Sequence, residues 1–367
     1  MQTKRPFKRC VLHIGTEKTG TTAIQHYLRH HRESLLEQGV CFPLAANTEH
    51  LSQWEFAAIV HHGGPWKQDM GRELGITDRA SQDQFRAELH KKLEQEFSEI
   101  DQADTLVISS EHLQSRLYLQ KELLDLKAFL DPFAEQFEVL VYFRRQDELA
   151  LSLLSTRLKS SAHVPLGDIL HTLNESPRYY AYDEIYQRWA TAFGEDAMHA
   201  RLYEPPKWPN ANLIKDFCSA AKIPDFGTET SKHNLSLNKQ GFQFINALNH
   251  LYPNASGDRS NEQRAELVRR IGQLFAGKYY PLSRDQAISF YRQFDAVNER
   301  LRTMAFPEHP APLFIEDFSQ YPDEAEPTEP DFNDAVEVAV ALWNSQPTAT
   351  EPAPTSPFRK WFPWFKR

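Results

Sequence analysis

Four short apolar runs limit what this chain can fold into. They are Cys10–Ile14 (CVLHI), Thr105–Ser110 (TLVISS), Phe137–Phe143 (FEVLVYF) and the weaker Met198–Tyr203 (MHARLY). Runs of this length, rich in β-branched and aromatic residues, predict buried strands. Helical patterns separate them. Ile24, Leu28, His31 and Leu35 predict a helix over about 22–38 that Gly39 stops. A polar amphipathic helix is expected over 81–100, another from about Gln146, and one through Tyr179, Tyr182, Ile185, Tyr186 and Trp189. A further helix is expected over 210–221, with Asn210 as its cap. Strands that alternate with helices predict an α/β fold, a central parallel sheet covered on both faces, because parallel neighbours need a crossover. Leu44–Gly75 shows no clear period and reads as loop with short helical pieces.

From Leu237 onward only helical patterns remain, near 237–251, 261–276 and 284–302. From Pro307 the composition turns to Pro, Glu, Asp and Thr as far as Ser356, broken by one helical stretch, Phe332–Trp343. The expected organisation is therefore an α/β domain over 1–305, with a core at about 9–225 and a helical extension at about 235–305. A flexible acidic, Pro-rich linker or tail follows over 306–356, and an aromatic-basic peptide over 357–367.

Composition narrows the function. With 41% hydrophobic and 12% aromatic residues in 367, the chain can bury a sizeable core. A net charge of −9 argues against a general nucleic-acid binder. The three cysteines, Cys10, Cys41 and Cys218, form no C-x-x-C pair, so no zinc knuckle is expected. No run approaches the roughly 20 apolar residues of a spanning helix, and no signal-peptide core follows the basic MQTKRPFKRC. The expected location is cytoplasmic.

The first strand runs straight into GTEKTGTT, Gly15–Thr22, and then into a helix. A loop that delivers backbone N–H groups to a helix N-terminus is a place for an anion. The spacing Gly15 to Gly20 nearly matches G-x-x-x-x-G-K-[ST], but Thr21 stands where that loop has lysine, and the lysine lies inside, at Lys18. The positive charge is thereby moved from a triphosphate chain toward a short 5′-substituent. No strand ends in the Asp that would hold Mg²⁺ for a nucleotide triphosphate. The second ends in Ser109-Ser110-Glu111, the third in Arg144-Arg145. An arginine there attracts a second anion, so the ligand should carry two separated anionic groups.

KTGTT after a strand resembles the 5′-phosphosulfate loop of the PAPS-dependent sulfotransferases, in which PAPS is 3′-phosphoadenosine 5′-phosphosulfate. In that family a strand ending in Arg, with Ser eight residues later, binds the 3′-phosphate. VLVYFRRQDELALS is similar, with Arg144 and Ser152; Arg145 fits less well because Leu153 would then fill the serine position. RLYEP (Arg201–Pro205) and HNLSLN (His233–Asn238) also resemble bacterial members, and the likeness covers roughly residues 9–250. It implies a three-layer P-loop-like fold, PAPS as donor, no metal, and transfer of a sulfuryl group to a hydroxyl, with a carbohydrate as the expected acceptor. It also implies that Gly15, Thr19, Gly20, Thr21 and Thr22 hold the 5′-phosphate and that Lys18 faces the leaving oxygen. The rival readings are a kinase or NTPase with an irregular loop, and a non-catalytic PAP-binding or scaffolding protein.

A hydroxyl acceptor needs a general base. Glu49 and His50 follow the first helix, and Glu111 follows the second strand; all three are candidates. The bland alternatives are a surface or structural histidine and a carboxylate that holds a helix start. The aromatic helix around Tyr182 reads as a packed one, with a sugar-stacking platform as the alternative. In the terminal PFRKWFPWFKR, aromatics interleave with basic residues, which suits contact with the inner face of a membrane or with a partner protein. Packing back on the domain is the bland alternative.

Overall fold

A computed structural model describes residues 5–46, 51–160, 169–174, 177–227, 236–251, 258–325 and 331–345. Five strands, β1 (Phe7–Gly15), β2 (Val40–Cys41), β3 (Thr105–Ser109), β4 (Ala134–Phe143) and β5 (Met198–Leu202), form one sheet in the order β2-β3-β1-β4-β5. Every pairing is parallel, with Val11 opposite Val107 on one side and Leu12 opposite Val139 on the other. The helices used below are α1 (Thr21–His30), α2 (Arg32–Glu37), α3 (Arg79–Ser98), α4 (Gln120–Leu130), α5 (Gln146–Lys159), α6 (Tyr182–Phe193) and α7 (Leu213–Ala221). They are followed by α8 (Lys239–Leu251), α9 (Asp258–Leu274), α10 (Arg284–Arg292), α11 (Asp295–Ala305) and α12 (Phe332–Asn344).

The alternation of side chains along β4 sends its two sets to opposite faces. Leu140 and Tyr142 join Val11 and Val107 in a core with Ile24, Tyr27 and Leu28 of α1, Leu35 of α2, and Ile214 and Phe217 of α7. Phe137 and Phe143 turn the other way, to Phe193 and Tyr182 of α6, with ring centroids 5.6 and 4.9 Å apart. The result is the expected α/β arrangement of three layers. Each fully buried Leu, Ile or Phe contributes about 1.5–3 kcal/mol, so these two seams carry much of the stability.

The local differences from the sequence reading have identifiable causes. The expected 22–38 helix is two helices, because His31, with φ −96° and ψ 16°, leaves the helical region between them. Its ring stacks on Phe226, 5.4 Å away. The strand at Val40–Cys41 was not expected; two residues carry no period, and they pair because Gly39, at φ +81°, turns the chain onto β3. The cap of α7 is Asn212, not Asn210. Asn212 accepts from Ile214 N at 2.9 Å and Lys215 N at 3.2 Å, while Asn210 sits at φ 52° inside a single turn before it.

The chain divides into two compact units. The first comprises Met1–Leu153, Leu170–His233 and Leu282–Glu324, and holds the whole sheet. The Pro- and acid-rich composition after Pro307 conceals Leu313, Phe314, Phe318 and Tyr321, all four buried in this unit. Arg145 ties them down. It donates from Nη1 to the carbonyls of Ile315 and Asp317 at 2.7 Å each, lies over the Phe318 ring at 4.3 Å and pairs with Asp147 at 2.7 and 2.9 Å. Asp147 also accepts from the Tyr321 hydroxyl at 2.6 Å. The second unit comprises Leu154–Ile169, Asn234–Pro281 and Ala325–Arg367. In it Gln240 of α8 donates to Asp334 and Glu337 of α12, and Arg270 of α9 donates to the carbonyl of Leu342 at 2.7 Å. No helix among the described residues is long and apolar enough to cross a membrane.

Candidate active site at the carboxyl edge of the sheet

From β1 the chain continues toward β2 and β3, and from β4 it continues the other way, to β5. The carboxyl ends of β1 and β4 therefore flank the point where the connections diverge, which is where open α/β sheets form a crevice. The loop Thr16–Gly20 leaves β1 here. Thr16 pins it to β4, donating from N and Oγ1 to the carbonyl of Tyr142 at 3.1 and 3.0 Å. Thr19 closes it, donating from Oγ1 to the carbonyl of Thr16 at 2.6 Å.

Two glycines make this turn feasible. Gly20, at φ +77°, is the N-cap of α1, and a Cβ there would run into the Leu213 side chain. Gly15, at φ +94°, lies so close to Glu111 that a Cβ would stand 3.1 Å from the Glu111 Cβ. Lys18 adopts a left-handed conformation too, at φ 64°, without being glycine. Such a residue costs on the order of 1 kcal/mol and is held by its surroundings. The first turn of α1 carries no acidic residue. Among the described residues no acceptor serves the backbone N–H groups of Lys18, Thr19, Gly20, Thr21 and Thr22. Consecutive N–H groups left open at a helix N-terminus form a nest for an anion.

Arg144 follows β4 and reaches into the same loop. Its Nη1 donates to the carbonyl of Lys18 at 3.1 Å, and its Nε to Glu148 at 3.1 Å. Its guanidinium lies 5.2 Å from the centre of the Tyr203 ring, and its carbonyl accepts from the Tyr182 hydroxyl at 2.6 Å. Arg145 points away into the buried network already described, so the two adjacent arginines have different surroundings. Ser152 lies on α5, half-buried.

Glu111 stands just beyond β3. Its Oε2 accepts from Gln25 Nε2 at 2.7 Å and from Ser52 Oγ at 3.3 Å. Ser52 also meets Ser110 Oγ at 2.9 Å and His112 Nδ1 at 3.1 Å. Burial lowers the pKa of His112, against the pull of Glu111. Lys18 is also lowered, first by burial; Glu17 and Glu111 work against this and Arg144 works with it. Arg144 and Glu111 are thus both near enough to act on Lys18. His13, within β1 two residues before its end, is a packing residue: burial pushes its pKa down to about 3, and its Nδ1 pairs with Ser109 Oγ at 2.8 Å.

The candidate residues Gly15, Lys18, Thr19, Gly20, Thr21, Thr22, Arg144 and Glu111 thus stand around one sheet edge. Glu49 and His50 lie outside the described residues, as does the peptide 357–367. Sequence reasoning passed over Glu17, which accepts from the Tyr179 hydroxyl at 3.3 Å, and over Gln25, Ser52 and His112. His112 had a legible signal, its place directly after Glu111 at a strand end. Gln25 and Ser52 had none, since only folding brings them to Glu111. The described residues contain no group of three His, Cys, Asp or Glu placed to hold a metal ion.

No family model matches the sequence, and no curated protein matches it. Among solved structures, the chain is similar to a sulfotransferase from Alicyclobacillus acidocaldarius at 14% identity and a TM-score of 0.38, over 73% of this chain and 96% of that one. It is also similar to the sulfotransferase domain of the Synechococcus PCC 7002 olefin synthase at 12% identity and a TM-score of 0.31, over 80% of this chain and 97% of that one.

Proposed function

We propose that this chain transfers a sulfuryl group from PAPS to a hydroxyl of a saccharide. The observation that carries this reading is the hydrogen bond from Arg144 to the Lys18 carbonyl, which couples two anion-attracting elements from adjacent strand ends. The open N–H groups of residues 18–22 suit a 5′-phosphosulfate. Arg144, with Ser152 further along α5, suits the 3′-phosphate that distinguishes PAPS from ATP. In the transfer the bond from sulfur to the donor's bridging oxygen breaks as the acceptor oxygen bonds to sulfur. The electron pair stays on the departing phosphate, where Lys18 offsets the charge.

Glu111 is the base we propose for the acceptor proton. Gln25 and Ser52 hold one carboxylate oxygen, and the other has no partner among the described residues. Glu111→Gln is expected to lower the turnover rate by roughly 10²–10⁴-fold, the usual contribution of a positioned base, with PAP binding retained. His112 sets the acid side of the pH profile. It is neutral above its lowered pKa, and when it gains a proton at lower pH its charge makes Glu111 a weaker base. Activity therefore falls on the acid side below the ordinary histidine value of 6.5, and His112→Gln should flatten that limb. A Glu111→Gln enzyme with full activity would return the assignment to His50 or Glu49.

The donor reading is tested by thermal shift. PAP should stabilise the protein without metal by RT ln(1 + [L]/Kd), about 2.7 kcal/mol at a hundredfold excess over Kd. Arg144→Ala should remove most of that shift. Stabilisation by ADP with Mg²⁺ and none by PAP would instead favour a nucleotide-triphosphate enzyme.

A further inference from the structure

Three arginines, Arg116, Arg178 and Arg188, and the loop residue Glu17 are all near enough to act on Tyr118. Arg116 leaves the short helix His112–Arg116, Arg178 lies in the single turn Pro177–Tyr179, and Arg188 belongs to α6. The Arg178 guanidinium lies 4.9 Å from the centre of the Tyr118 ring. The Tyr118 hydroxyl donates to the carbonyl of Ser115, and Gln120 at the start of α4 donates to the carbonyl of Arg188 at 3.3 Å. These bonds hold the backbone beside Arg116 and at Arg188.

The guanidiniums themselves are poorly matched. Arg116 comes no nearer to Asp69 than 3.8 Å, and Arg188 no nearer to Glu184 than 3.7 Å, both beyond hydrogen-bond range. The buried Nε atoms of Arg116 and Arg188 have no hydrogen-bond partner among the described residues. The third carboxylate nearby, Glu17, is engaged by Tyr179. A buried donor without an acceptor costs about 1–3 kcal/mol, so two in one cluster need an explanation. Burial lowers the pKa of Arg188; Glu184 and Tyr118 work against this and Arg178 works with it. Planar guanidinium forks suit planar carboxylates or the oxygens of a sulfate ester.

We propose that Arg116, Arg178 and Arg188 form an anion-binding acceptor subsite, and that the acceptor is an acidic saccharide bearing a carboxylate or sulfate ester near the hydroxyl that is modified. This rests on the sulfuryl-transfer reading and extends it to the acceptor. The tyrosines serve the same ligand, with Tyr118 holding Arg178 in place and Tyr179 keeping Glu17 turned toward itself. Glu17 thereby joins the acceptor subsite to the Lys18 loop.

The test is direct binding of a hyaluronan oligosaccharide to the PAP-loaded full chain, beside the same oligosaccharide with its carboxyls reduced to alcohols and a chondroitin sulfate oligosaccharide. At low salt the two acidic probes should bind at least tenfold more tightly than the reduced one, and salt should erode the difference. Exposed Arg178→Ala and half-buried Arg188→Gln should each weaken acidic binding roughly tenfold, as loss of a charge-assisted contact does. The PAP thermal shift should stay at its wild-type size in both. Tighter binding of chondroitin sulfate than of hyaluronan shows that its sulfate esters are read beside the carboxylates, and equal or weaker binding shows that carboxylates suffice; either supports the subsite. Equal affinity for acidic and reduced probes, including failure to bind any of them, or unchanged acidic binding in both variants, overturns it. Loss of the PAP shift in wild type would overturn the donor reading instead, so the two failures are distinct.

Discussion

Lys18→Ala lowers the rate of sulfuryl transfer at saturating donor and acceptor by roughly 10²–10³-fold, the loss typical for one group that meets developing charge in a sheltered site. The half-buried setting that lowers its pKa also limits screening by water. The effect should divide unevenly between ligands. In PAPS the bridging oxygen shares its charge with sulfur, whereas in PAP the 5′-phosphate carries that charge fully. The KM for PAPS should therefore change only a few-fold, and the affinity for PAP should fall by more. Lys18→Arg should recover only part of the rate, because a planar fork does not replace a compact ammonium at one oxygen. Neither change should alter stability much, since Ala and Arg meet the same cost at φ 64° as lysine does. Measured single-turnover rates decide it: a Lys18→Ala protein with wild-type transfer would mean that another cation, Arg144 first among them, meets the leaving phosphate.

The parts of this fold that were legible in the sequence are those fixed by short-range patterns. CVLHI, TLVIS and FEVLVYF are apolar because both faces of the sheet are covered, and that is visible without coordinates. The loop Gly15–Thr22 was legible because a strand, two glycines and a helix start must come in that order to turn the chain. The Glu111 environment was only half legible. Its place at a strand end could be read, but its hydrogen bonds to Gln25 and Ser52 cross sequence separations of 86 and 59 residues. Arg116, Arg178 and Arg188 reach one tyrosine from separate elements, so no spacing rule could have grouped them. The segment after Pro307 shows the opposite error. Composition suggested a linker there, yet a few apolar residues at irregular intervals suffice for burial once Arg145 satisfies their backbone carbonyls.

Arg145→Ala should destabilise the protein by about 3–5 kcal/mol, the cost of breaking a buried ion pair from one side. Arg145 is 5% exposed and Asp147 fully buried, so removing the guanidinium leaves a buried carboxylate with only the Tyr321 hydroxyl among these partners. The carbonyls of Ile315 and Asp317 lose their donor as well. Arg144→Ala, one residue earlier, should cost less than about 1 kcal/mol, because its pairing with Glu148 is partly solvated. Urea unfolding of both variants, beside Arg145→Ala with Asp147→Ala, measures this. The double variant should recover part of the loss, since the stranded charge is gone. PAP binding should show the reverse order, abolished by Arg144→Ala and kept by whatever fraction of Arg145→Ala remains folded. If Arg145→Ala is as stable as wild type and loses PAP, the two arginines have exchanged roles and the 3′-phosphate lies against Arg145. Two neighbouring residues of one type are thus separated by where their side chains point. Both follow the end of β4 at Phe143, where one guanidinium turns to the Lys18 carbonyl in the crevice and the other is held beneath the strap that covers it.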